Sequence, residues 1–158
     1  MAVIIKEGNV FDSDAKIICH QVNCQGVMGS GVAKEVRERY PKVYEEYHTY
    51  CESNKDCPER MLGVAQMVPV DEKGSRWIVN CFGQNTYGYD NGKQYTSVGA
   101  LSEAFKEVAK IAKASGVKVA MPYGIGCVRG GAKWSLVKEI IDFTFKDVDV
   151  ELWRLEGK

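Results

Sequence analysis

Short apolar runs alternate with helix-period segments along most of this 158-residue chain, and that alternation limits the folds open to it. "AVIIK" (2–6) reads as a strand closed by Gly8-Asn9, and "KIICHQV" (16–22) as a second. "GVAKEVRERY" (31–40) places Val32, Val36 and Tyr40 four residues apart, one face of a helix. Pro41 interrupts that helix, and "KVYEEYHTYC" continues helically. "VAQMVPV" and "RWIVNCF" flank the turn composition "DEKGS" and read as a hairpin. In "SVGALSEAFKEVAKIAKASG", Val98, Leu101, Phe105, Val108 and Ile111 recur every three or four residues, with Ser97 placed to cap the start and Gly116 to stop the helix. "VKVAMPY" is a short buried strand. "WSLVKEIIDFTF" is helical through Trp134, Val137, Ile140 and Ile141, and "DVELWRL" is a final strand. The expectation is one domain over 1–158, a three-layer α/β/α sandwich. Its mixed, largely parallel sheet has about six strands and includes one antiparallel pair.

Composition narrows the function. Lys plus Arg equals Asp plus Glu, so the formal net charge is zero. A chain without a basic excess is not expected to bind nucleic acid generally, or an anionic membrane. No stretch approaches the roughly 20 apolar residues of a membrane span, and "MAVIIKEGN" lacks the pattern of a secretory signal. The six cysteines (19, 24, 51, 57, 81, 127) are therefore read as reduced thiols in a cytoplasm, with Cys19, Cys81 and Cys127 acting as small hydrophobes in or beside strands. His48, Cys51 and Cys57 cluster, as do Cys19, His20 and Cys24. No Cys-x-x-Cys pair exists, so no metal site is expected, and "CESNKDCPE" reads as a solvated loop.

Two stretches carry the chemistry. "NCQGVMGSGVA" (23–33) leaves the second strand and enters a helix. "PYGIGCVRGGAKW" (122–134) does the same between a later strand and the last helix. Glycine lets a ligand approach the backbone, and the first amides of a helix have no internal partner, so such junctions suit an anion such as phosphate. Two side by side suit a diphosphate; the alternative is a pair of tight turns. Neither stretch matches the dinucleotide fingerprint or the P-loop, which disfavours dinucleotide-dependent redox chemistry and P-loop hydrolysis of nucleoside triphosphates.

"GNV" (8–10), "HQVNCQGVMGSGVA" (20–33) and "YGIGCVRGGAKW" (123–134) resemble, in order, the three ligand-binding segments of the macrodomain family. The resemblance extends over nearly the whole chain. It is strongest to the small single-domain branch of ADP-ribose-1''-phosphate phosphatases, terminal ADP-ribose protein glycohydrolases and DNA ADP-ribosyl glycohydrolase antitoxins. It implies a cleft for ADP-ribose or an ADP-ribosylated molecule, with no cofactor. Gly8, Asn9 and Val10 match the segment at the adenine, where the family usually has Asp in place of Asn9. Gly26, Met28, Gly29, Ser30, Gly31 and Val32 match the loop supporting the distal ribose and diphosphate. Tyr123, Gly124, Ile125, Gly126, Cys127 and Val128 match the second phosphate loop. Trp153 either flanks adenine or is an ordinary packed aromatic.

By the same resemblance, Asn23 orients the ribose or a water and Gln25 bonds a ribose hydroxyl, unless both only satisfy loop backbone. His20 has the ordinary pKa for proton transfer, or else is a core histidine. Gln84, Asn85, Tyr87 and Tyr89 line the distal side or form a polar loop above the sheet. The protein glycohydrolases use a Lys nucleophile near the end of the fourth strand and an Asp in the second phosphate loop. This chain has no Lys between Asn80 and Asn91, and "CVRGGAKW" has no carboxylate. Lys93 lies in the following loop, and Lys133 stands near where many relatives of this branch carry Asp. The expected function is hydrolysis of a group from the distal ribose of ADP-ribose. The alternatives are a reader module that binds ADP-ribose without turnover, and a phosphate-loop protein for nucleic-acid ends, which the neutral charge disfavours.

Overall fold

The computed structural model describes residues 2–90 and 92–155. Its strands are β1 (Val3–Glu7), β2 (Ile17–Asn23), β3 (Ala65–Pro69), β4 (Trp77–Gln84), β5 (Val119–Pro122) and β6 (Val150–Arg154). Its α-helices are α1 (Gly31–Arg39), α2 (Pro41–Ser53), α3 (Val98–Ser115) and α4 (Trp134–Thr144), with single 3-10 turns at Val10–Asp12 and Pro58–Met61. The strands form one sheet in the order β1-β6-β5-β2-β4-β3. All neighbours are parallel except β3 and β4, which form the expected hairpin.

The inner strands β6, β5, β2 and β4 are buried on both faces, so they are largely apolar runs rather than alternating ones, while the edge strand β1 is mostly exposed. On one face Ile18, Val22, Ile78 and Phe82 pack against Val36 of α1 and Val43, Tyr47 and Cys51 of α2. On the other, Ile17, Cys19, Val79, Cys81 and Met121 pack against Leu101, Phe105 and Val108 of α3 and Val137 and Ile141 of α4. Phe105 meets Phe145 edge-on at 5.7 Å between ring centres. Together these make the α/β/α sandwich expected from the alternation.

Local signals explain the helix ends. The Ser97 hydroxyl accepts from the Ala100 amide, and Gly116 takes the left-handed conformation that ends α3. Tyr40 (φ −133°, ψ 73°) breaks the chain between α1 and α2 just before Pro41. Two expectations change. Ile111 is only half-buried, and Ala104 and Ala112 complete the α3 stripe instead. The segment "CESNKDCPE" is not all solvated loop, because α2 runs to Ser53 and buries Cys51, while Cys57 is exposed. All six cysteines are free. Among the described residues, no helix is long and apolar enough to cross a membrane.

Candidate functional site

The topology creates the site. From β2 the chain moves to β3 and β4 on one side of the sheet, whereas from β5 it moves to β6 on the other. Strands that are neighbours in the sheet but diverge in connection leave a crevice at their carboxyl ends. The pairing shows the divergence. β2 pairs with β5 only at Ile17–Val119 and Ile18–Ala120, yet with β4 as far as Asn23–Gln84. The two glycine stretches leave the sheet from these two strands. Gly8 to Val10 follow β1 on the same edge, where the Gly8 amide donates to the Arg154 carbonyl at 2.9 Å.

The first loop is held from behind and open in front. Asn23 Oδ1 accepts from the Gln25 amide (2.9 Å), the Val27 amide (3.4 Å) and the Tyr47 hydroxyl (2.9 Å), while its Nδ2 donates to the Val27 carbonyl at 2.9 Å. Gly26 is buried against His48 and Cys51 of α2, and the Met28 side chain is sealed in the core. The chain then turns into α1 at Gly31 (φ +61°). Ser30, the N-cap residue, makes no side-chain cap bond, and the first turn of α1 carries no acid. The amides of residues 28–33 have no acceptor among the described residues. A methyl group added at Gly31 would meet open space, and one at Gly29 would meet only Val27. These donors carry the partial positive charge of a helix start.

The second loop is more self-contained. The amides of Ile125, Cys127, Gly131 and Ala132 donate to the carbonyls of Pro122, Gly124, Cys127 and Gly126. That leaves the amides of Gly124, Gly126, Val128, Arg129 and Gly130 without acceptors among the described residues. Ile125 is buried and anchors the turn, while Val128 is 84 % exposed. Gly124 (φ +81°) and Gly126 (φ +79°) supply the left-handed backbone of this turn. Burial pushes the Cys127 thiol up to about 11, so at neutral pH it is a protonated thiol and not a nucleophile. Tyr123 packs on Trp134 with 4.8 Å between ring centres, under the Arg154 guanidinium.

A model of the Macro domain family matches residues 19–141, from β2 through most of α4 and across both loops. This chain belongs to the macrodomain family. It is 27 % identical over 113 residues to an ADP-ribose 1''-phosphate phosphatase of Aspergillus oryzae, covering 52 % of this chain and 56 % of that one. It is 26 % identical over 156 residues to a DNA ADP-ribosyl glycohydrolase of Mycobacterium tuberculosis, covering 95 % of this chain but 41 % of that one. The chain thus spans about half the length of these relatives or less. The fold matches a Bacteroides thetaiotaomicron protein described as of unknown function, with TM-score 0.84 and 27 % identity over 98 % of this chain and 99 % of that one. It also matches the macrodomain of Mycobacterium tuberculosis DarG, with TM-score 0.80 and 21 % identity over 96 % and 97 % of the two chains.

The side chains expected to act on a ligand are placed less simply in this macrodomain. His20 is 1 % exposed, its Nε2 2.7 Å from Asn80 Oδ1. Burial lowers its pKa to about 4, against the smaller upward pull of Asn80. A neutral ring sealed in the sheet fits the core-histidine alternative of the sequence reading. All four Asn23 bonds serve its own loop and α2. Gln25 is exposed, and its Nε2 donates to the carbonyl and Oδ1 of Asn85 at 3.0 and 3.2 Å. Asn9 caps the Val10–Asp12 turn through Phe11, and its Nδ2 donates to Glu35 of α1 at 2.9 Å. The Val10 side chain is in the core, and Val32 is half-buried at its border. Trp153 covers Gly8, where an added Cβ would sit 3.2 Å from the indole, and its Nε1 donates to the buried carboxylate of Glu151 at 2.9 Å.

The β4–α3 loop bridges both glycine loops. Its Asn85 carbonyl accepts from the Cys24 amide at 3.0 Å, and its Tyr95 and Thr96 amides donate to the Gly130 carbonyl at 2.7 and 3.0 Å. Tyr87 and Tyr89 are exposed on it, with the Arg129 guanidinium 4.6 Å from the Tyr89 ring centre. The Lys93 ammonium lies 5.0 Å from the Tyr95 ring centre, and Lys133 is the exposed N-cap of α4. Gln21, Tyr47 and Thr96 escaped the sequence reading. The available signal was a glutamine inside a strand otherwise buried, which demands partners.

Proposed function

We propose that this macrodomain binds ADP-ribose, or a molecule carrying it, and hydrolyses a group from the distal ribose. The carrying observation is the run of amides over 28–33 and the amides of Gly124, Gly126, Val128, Arg129 and Gly130, all without acceptors among the described residues, on the two loops that leave the neighbouring strands β2 and β5. Two open donor sets at one switch point fit a diphosphate gripped from both sides. Supporting the ligand class, the two curated relatives are named for a phosphatase of ADP-ribose 1''-phosphate and a glycohydrolase of ADP-ribosyl DNA. The chemistry is positioning: the loops hold the diphosphate while a water attacks the distal-ribose carbon or the phosphorus at the scissile bond, its hydroxyl joining that atom and its proton going to the departing oxygen or nitrogen. The free thiols and zero net charge fit work in a reducing cytoplasm on a ligand recognised by its nucleotide sugar.

One observation favours a second reading, a reader without turnover: Asn23 and His20 are both committed to protein partners. Calorimetric titration with ADP-ribose tests the shared claim, with micromolar affinity expected. Incubation with ADP-ribose-1''-phosphate, ADP-ribosylated protein and ADP-ribosylated DNA then separates the readings. Product from any of these establishes the hydrolase; tight binding with no product from all three leaves the reader. No binding of ADP-ribose overturns both.

A further inference from the structure

We propose that Gln21 and Thr96 form an internal latch that sets the second glycine loop in place, making Gln21 a positioning residue for the diphosphate. The inference rests on the ADP-ribose reading for its ligand, and on the structure for its mechanics. Gln21 Nε2 donates to Gln84 Oε1 at 2.6 Å and to Thr96 Oγ1 at 2.8 Å, and the Thr96 hydroxyl donates to the Gly126 carbonyl at 2.7 Å. This chain of bonds links β2, the end of β4, the β4–α3 loop and the second glycine loop.

Its polarity is set at both ends by backbone carbonyls. The Gly126 carbonyl only accepts, so the single Thr96 proton points to it, and the Thr96 lone pairs must accept from Gln21. At the other end Gln84 Nε2 donates to the Thr86 carbonyl at 2.8 Å, which turns Gln84 Oε1 toward Gln21. Both neighbours therefore require the nitrogen of the Gln21 amide, and its oxygen is left facing away. That oxygen is buried and has no partner. An orphaned buried acceptor is costly. Flipping the amide would give it no relief, since it would oppose two oxygens.

The glycines around the latch are explained by its bulk. An added Cβ at Gly83 would overlap the Gln21 amide, and one at Gly130 would overlap Thr96 Oγ1 and the Gly126 carbonyl. At Gly126 it would lie 3.1 Å from Gln21 Oε1 and 3.0 Å from Leu101. The Tyr95 and Thr96 amides seat the Gly130 carbonyl in the same place. The turn from Gly126 to Gly130 is thus tied at both ends to Thr96, and Val128, whose amide has no acceptor among the described residues, lies between the ties. Fixing those donors before the ligand arrives removes an ordering cost from binding.

Thr96→Val removes the hydroxyl while keeping shape, and Gln21→Leu removes the amide. Thr96→Ser restores the hydroxyl alone. In the free protein, ¹⁵N order parameters of residues 124–130 are expected to fall from about 0.85 to below about 0.6 in Thr96→Val and Gln21→Leu. Those of residues 28–33 stay unchanged, and Thr96→Ser returns the loop to its wild-type values. Affinity for ADP-ribose falls about tenfold in each of the first two variants. The double variant is little weaker than either single, because both break one chain. Wild-type order and affinity in Thr96→Val overturn the latch, and so does equal loosening of both loops. If the wild type binds no ADP-ribose, the functional reading and the diphosphate role fall together, while the order parameters still decide whether the latch exists.

Discussion

The two glycine loops resemble each other in composition, yet they make their donors available by different means. The first is a helix start: its amides are open because α1 begins there and nothing caps it. The second is a turn that consumes the amides of Ile125, Cys127, Gly131 and Ala132 internally and leaves those between them without acceptors among the described residues. Their supports differ accordingly. Asn23 and Tyr47 brace the first loop from the α1–α2 side of the sheet, and Thr96 and Gln21 brace the second from the α3 side. The comparison with α3 makes the point sharper. That helix is capped by the Ser97 hydroxyl, whereas α1 and α4, which follow the two glycine loops, start without side-chain caps. A helix end left uncapped beside open space is available to a ligand.

If the first loop supplies the larger donor set, a charge placed there has the largest effect. Gly29→Glu has an ordinary backbone conformation to occupy and open space around it. It is expected to fold with unchanged Tm and to weaken ADP-ribose binding more than about 100-fold, measured by calorimetry, because the carboxylate fills the nest of amides. Unchanged binding would remove the first loop from the site.

The next effect concerns the strand that ends at the first loop. His20 has a folded pKa of about 4 against 6.5 ordinarily, so the unfolded chain binds its proton first as pH falls. The stability it protects is complete above about pH 6.5 and is lost as pH falls toward 4, about 3 kcal/mol in order of magnitude. Tm measured from pH 7.5 to 4 should drop, and His20→Gln should flatten that drop. An unchanged pH profile in the variant would show that the acid sensitivity lies elsewhere.

Asn23→Ala separates brace from chemistry. It leaves the Gln25 and Val27 amides without their side-chain acceptor, while the Tyr47 hydroxyl keeps the carbonyl of residue 23, and it is expected to cost about 2 kcal/mol, lowering Tm by about 4–8 °C. Unchanged Tm with turnover abolished would instead return Asn23 to a direct part in the reaction. The smallest effect is expected at the second loop. Val128→Glu changes an exposed side chain beside fewer open amides and should weaken ADP-ribose about tenfold. An effect equal to that of Gly29→Glu would erase the proposed inequality between the loops.

Much of this arrangement was legible beforehand because it rests on local signals. Ser97 and Gly116 mark the ends of α3, Pro41 marks the break between helices, and "DEKGS" marks the hairpin. The two glycine-rich strand-to-helix junctions were legible too, since each is written in a few consecutive residues. The roles of the polar side chains were not. His20 and Gln21 are adjacent, chemically capable residues, but strand alternation sends one to Asn80 and the other to Thr96, two partners more than 59 residues away in sequence. For Asn23 the sequence offered a role at the ribose or one within its own loop, and the Tyr47 hydroxyl that reaches it from α2 comes from 24 residues away.

Sequence alone determined the layered alternation, the helix limits and the two glycine junctions, because each depends on the intrinsic geometry of a few consecutive residues. Tertiary structure decided which amides stay open, which polar groups serve as braces, and that β2 and β5 are neighbours. Those outcomes depend on hydrogen-bond partners brought together by strand order, and no property of an isolated segment specifies that order.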